Sequence, residues 1–143
     1  MKEDISGGKN SSFMVVLLGI VFDPKKRQIL IIKMKKDKII KKLAWSFPGG
    51  RAVYGEVLEE TLKNEIREKT GYDTESLGSV FSRVAIPEKE DLILIYYLCE
   101  VTGGKGKPGK NILEMKWVSP DDLRKNFTTS FEPALEEYIM NLK

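Results

Sequence analysis

Residues 92–98 read Leu-Ile-Leu-Ile-Tyr-Tyr-Leu, apolar on both faces of an extended strand. Side chains alternate across a strand, so such a run must be covered on both sides, and it marks an interior strand. Two further runs have the same character. Phe13–Phe22 is continuously apolar and rich in β-branched residues, and Gln28–Met34 follows after the turn signal Asp23-Pro24. These two read as a hairpin or as neighbouring strands. A chain built from strands of this kind needs helices on both faces of its sheet.

The remaining pattern supplies them. Leu58, Leu62 and Ile66 recur every fourth residue between Glu56 and Thr70, with charges filling the rest, and Gly71 stands where a helix-ending glycine would. Ser119-Pro120 has the composition of a helix start, and Pro133–Leu142 turns Leu135, Tyr138, Ile139 and Leu142 to one side. Leu43–Phe47, Ser79–Ile86, Asp91–Val101 and Ile112–Val118 read as strands, Pro48-Gly49-Gly50 as a breaker, and Gly103–Lys110 as a flexible loop. The expected fold class is α/β, a mixed sheet sandwiched by helices. At 143 residues one domain is expected, spanning 13–143 behind a polar, frayed tail of residues 1–12. The Phe13–Phe22 run is too short to cross a bilayer, so no membrane partner and a cytoplasmic location are expected.

Composition narrows the chemistry. The chain has no histidine, which excludes imidazole catalysis and any His-ligated metal. Its single cysteine, Cys99, cannot form an intrachain bridge and lies in an apolar strand, where plain packing is expected. A net charge of +3 is far below what a dedicated nucleic-acid binder usually carries, so nucleic acid is not the expected partner, although a local basic patch could still meet phosphates. Carboxylates, lysines and metal ions remain.

Residues 47–72, FPGGRAVYGEVLEETLKNEIREKTGY, gather those groups. Two adjacent glycines give a backbone bend without side-chain bulk, and the helix behind it carries Glu65 and Glu68 three residues apart on one face. Such a pair can hold a hard divalent ion, because Mg²⁺ takes one or two carboxylates and completes its shell with water and phosphate oxygens. The same charges also allow a solvated helix face with an ordinary Glu65–Lys69 pair. The spacing resembles the signature of the Nudix hydrolases, MutT-like enzymes. Gly50 opens it, and Glu56, Glu65, Ile66, Glu68, Gly71 and Tyr72 fall in register. The lead-in Trp45-Ser46-Phe47-Pro48-Gly49 and the later passage Trp117–Leu123 are similar to that family as well.

The resemblance implies an α/β/α sandwich and a metal-dependent pyrophosphohydrolase that uses Mg²⁺ or Mn²⁺ and a water nucleophile. Its substrate would be a nucleoside diphosphate linked to another moiety, ADP-ribose-like, or a nucleoside triphosphate. It assigns catalysis to Glu65 and Glu68, and metal to Gly49, Glu65 and Glu68, with Glu114 as an acid from outside the signature. Glu59, Glu60, Glu88, Glu90 and Asp91 are weaker alternatives. Substrate contact falls to Lys35, Phe47, Gly50 and Arg51, with Trp45 and Tyr54 as further rings for a base. Glu56 supports the helix start. The many lysines of residues 33–42 and Lys105, Lys107 and Lys110 form a basic rim, and Pro87 has a spacing seen in relatives that cleave ADP-ribose.

Two positions depart from the pattern: Asn64 stands for its arginine and Lys69 for the second glutamate of its pair. An ammonium roughly 4 Å from a divalent ion costs about 8 kcal/mol at an effective dielectric of about 20. A weakened metal site is therefore expected if Lys69 points inward, and little penalty if its stem swings to solvent. The alternative function is a catalytically impaired nucleotide-binding or sensor module. Either way the expected partner is a nucleotide-type small molecule, and the protein a monomer or homodimer.

Overall fold

The computed structural model describes residues 13–35, 44–85, 91–127 and 131–143. The tail 1–12, Lys36, Lys38, Lys41, Lys42, Leu43, Ile86, Pro87, Glu88 and Glu90 lie outside the described residues.

The two apolar runs become β1 (Met14–Asp23) and β2 (Gln28–Met34). They pair as a hairpin only at the tip, Phe22 with Ile29 and Asp23 with Gln28. Beyond it they diverge, because Gly49–Arg51 takes that edge of β1 at residues 16–18 while residues 92–99 pair along the other edge. Then follow β3 (Trp45–Ser46), β4 (Gly49–Arg51), α1 (Leu58–Thr70), β5 (Tyr72–Ala85) and β6 (Leu92–Gly104). The chain ends with β7 (Ile112–Val118), α2 (Pro120–Asn126) and α3 (Pro133–Met140). The sheet order is β3-β2-β1-β6-β5, with β4 on β1 and β7 on β2. β1 and β6 run parallel, with Val16 opposite Leu94 and Ile20 opposite Leu98, whereas the other pairs are antiparallel. The sheet is therefore mixed, and β6 is interior as its apolar faces require.

Alternation along the strands sorts the core into two layers. Leu17, Val21 and Leu30 bury against Leu62 and Ile66 of α1. Ile20, Ile29 and Ile31 bury on the other face with Leu123 of α2 and Leu135 and Ile139 of α3. All six sheet residues are fully buried. Burying each such side chain contributes about 1.5–3 kcal/mol. Ser119 caps α2 as expected, its hydroxyl accepting from the Asp122 N–H.

Three readings change. Gly49–Arg51 is not only a breaker but a short strand, Gly49 opposite Leu18 and Gly50 opposite Leu17. Strand β5 begins at Tyr72 directly after the helix, not at Ser79, because its first half is half-polar and pairs along the end of β6. The glycine-lysine segment expected to be a flexible loop starts as strand through Gly104, and its remainder docks on the end of α1.

Candidate active site

Helix α1 is held at both ends by groups outside it. At its start the Val57 side chain makes no cap hydrogen bond, and the buried Thr61 hydroxyl instead donates to Glu56 Oε1 at 2.5 Å. Glu59 and Glu60 occupy the first turn, where carboxylates complement the helix dipole. At its end Gly71 adopts φ 79° and returns its N–H to Arg67 O. The N–H of Lys107 reaches Thr70 O at 2.8 Å and that of Gly109 reaches Lys69 O at 2.9 Å, so carbonyls that a helix normally leaves unpaired are satisfied.

That anchoring presses α1 against β4. A side chain on Gly49 would meet Leu17 O at 1.9 Å, and one on Gly50 would meet Glu65 Cδ at 2.5 Å. The paired glycines thus let a strand lie flat on β1 while the Glu65 carboxylate settles over its backbone. Lys69, one helical turn on, points the same way. Its ammonium donates to Gly49 O and lies 3.3 Å from Glu65 Oε2. Both side chains are largely withdrawn from solvent, at 20% exposed for Lys69 and 29% for Glu65. The pair is therefore part of the bend and not the ordinary exposed pair the spacing alone allows. Glu68 and Asn64 are exposed on the helix.

The other assigned residues are dispersed. Lys35 is exposed at the end of β2, its N–H bound to Asn111 O at 2.8 Å. Arg51 is exposed at the end of β4, in a surface groove with Phe13, Val53 and Tyr54. One expectation is corrected. Phe47 is 4% exposed and packs edge-on to Tyr96 with Phe127 against it, so its ring belongs to the core and not to a bound base. Glu114 lies opposite Lys33 on the β2–β7 ladder and pairs with it at 3.4 Å. Trp45 is flanked by Lys33 and Lys116, whereas Tyr54 is wholly exposed. The buried Cys99 thiol is pushed up to about 12, first by burial and then by the charge of Glu59, which suits packing and not nucleophilic work.

A divalent ion does not fit between Gly49 O and Glu65 as they stand, because the ammonium already fills the space between those oxygens. Among the described residues no three Asp, Glu or Cys side chains converge to hold one. Glu68 remains as an exposed carboxylate on α1. Sequence reasoning missed Gly109, whose contact with the helix end no local signal reveals. It named Lys69 without fixing which way the side chain points.

A mixed sheet between helices, with a Gly-Gly strand seated beneath a glutamate helix, defines the Nudix class of fold. The profile of the NUDIX domain matches residues 13–139, and the chain belongs to that family of hydrolases. It is 30% identical over 117 residues to an ADP-ribose pyrophosphatase of Methanocaldococcus jannaschii, covering 80% of this chain and 68% of that one. It is 31% identical over 105 residues to the nucleoside triphosphatase NudI of Escherichia coli, covering 66% and 74%. In fold it is similar to the MutT protein of Methanosarcina mazei, with a TM-score of 0.75 over 94% of this chain and 96% of that one at 15% identity.

Proposed function

We propose that the protein hydrolyses a phosphoanhydride bond in a nucleoside diphosphate joined to a second moiety, ADP-ribose-like, or in a nucleoside triphosphate. The observation that carries this reading is the seating of the Glu65 carboxylate over the Gly50 backbone, in a chain that matches the NUDIX profile throughout its domain. Relatives named for ADP-ribose and for nucleoside triphosphates support the substrate class. Glu65 takes the proton of the attacking water, and the rigid helix holds it at that place through its two anchored ends. Glu68 would hold a Mg²⁺ or Mn²⁺ ion, which when bound neutralises phosphate oxygens and lowers the pKa of water. Arg51 meets phosphate, and the exposed Tyr54 beside it offers a ring for the base. We place the protein in the cytoplasm as a monomer or homodimer; among the described residues no helix is long and apolar enough to cross a membrane.

The test is a panel of ADP-ribose, dinucleoside polyphosphates and nucleoside triphosphates, incubated with each metal and read by product chromatography. Cleavage of at least one compound is expected, falling about 100-fold or more in Glu65→Gln. The second reading, a binding module, is favoured by Lys69 lying on Gly49 O. Tight nucleotide binding with no product under either metal would establish that reading instead.

A further inference from the structure

Lys69 is held in place more firmly than a lysine stem requires. Its backbone carbonyl accepts from Gly109 at 2.9 Å, and Gly109 lies so close that a side chain there would meet Glu68 O at 2.0 Å and Lys69 Cα at 3.1 Å. The last turn of α1 is clamped between that loop and β4. From it the ammonium is directed onto Gly49 O with Glu65 alongside, instead of extending into water. An ammonium carries three N–H donors. One N–H is bonded to the Gly49 carbonyl and Glu65 stands 3.3 Å off as its ion-pair partner, which leaves an N–H for an incoming oxygen.

We infer that Lys69 is the built-in cation of this site, occupying the place between Gly49 O and Glu65 that a divalent ion would otherwise take, and donating its remaining N–H to a phosphate oxygen of the substrate. The substrate part of this rests on the hydrolase reading above; the cation part does not. Mg²⁺ demands oxygens at about 2.0–2.1 Å in near-octahedral array, so it cannot enter while the ammonium is bonded to Gly49 O and paired with Glu65. A covalently supplied charge also needs no ion concentration to fill the site. The consequence is a protein whose inner cation position ignores Mn²⁺, with any divalent requirement confined to Glu68 and the substrate phosphates.

The experiment titrates Mn²⁺ alone, without nucleotide, into the full chain and reads free Mn²⁺ by electron paramagnetic resonance. Wild type and Lys69→Arg should show no site at the bend. Lys69→Glu should acquire one bound about tenfold tighter than anything in wild type, and Lys69→Met should tighten too because the charge is gone. Thermal unfolding of each variant checks that it folds. Equal Mn²⁺ binding in wild type, Lys69→Glu and Lys69→Met would overturn the inference. Because no turnover is read, that result is separate from a failure of the nucleotide panel. A second arm titrates inorganic pyrophosphate in EDTA, where Lys69→Met should bind about tenfold more weakly than wild type. Unchanged affinity there would remove the phosphate-donor role.

Discussion

Gly50 is glycine because of what lies above it. Its φ is not positive, so backbone freedom is not the reason; the Glu65 carboxylate occupies the space a Cβ would fill. Gly50→Ala should therefore push that carboxylate off the strand and away from Lys69. Hydrolysis should fall by about 100-fold, the scale a misplacement of roughly 1 Å produces, with a small change in thermal midpoint. A variant with wild-type turnover would show that Glu65 has no need of its seat. Cys99 gives a different residue-level expectation. Burial keeps its thiol protonated in the folded state up to about 12, against 9.0 for the exposed group. Below 9.0 folded and unfolded chains both hold the proton and no pH dependence arises. Above it the unfolded chain releases its proton first, so the folded state loses ground progressively toward pH 12. The stability advantage of wild type over Cys99→Ala should thus shrink as pH rises past 9.0, measured by denaturant unfolding at each pH.

The motif itself was legible in the chain: glycines, glutamates and the helix stop fell at their places, and Gly71 took the left-handed φ of 79° its position called for. What stayed hidden depended on residues distant in sequence. Pro48-Gly49-Gly50 reads locally as a breaker, and only the backbone of β1 at Leu17 and Leu18 turns it into a strand. Residues 105–109 read as loose for the same reason, since glycine and lysine signal mobility unless a helix end needs their N–H groups. Phe47 was read as a substrate contact from its place in the motif, while the rings that bury it, Phe127 and Tyr96, come from α2's end and β6. The docked loop carries its own expectation. Gly109→Ala drives a Cβ into Glu68 O, so the loop or the helix end must move, at a cost of about 1–3 kcal/mol. Calorimetry would register it as a lower midpoint. A smaller effect is expected at the other end, where Thr61→Val removes the donor to Glu56 and costs about 1 kcal/mol.

Across the whole molecule the sheet divides labour between its faces. One face seats α1 and through it Glu65, Glu68 and Lys69; the other seats α2 and α3, which carry none of the residues assigned to the bend. Strand β1 touches both layers, so an odd and an even position test the division within one strand. Leu17 belongs to the α1 layer and Ile20 to the α2–α3 layer, and both are fully buried. Truncating either to alanine removes comparable apolar volume and should cost about 2–5 kcal/mol. The two variants should nevertheless part company in function. With the folded fraction fixed by circular dichroism at a temperature where both remain native, Leu17→Ala should lose hydrolysis per folded molecule, because the cavity lies directly under the helix whose position sets Glu65. Ile20→Ala should keep it, because relaxation on its side reaches α2 and α3. Equal losses of activity would mean that the sheet transmits packing defects through its thickness, and that the site depends on the entire core and not on one layer of it.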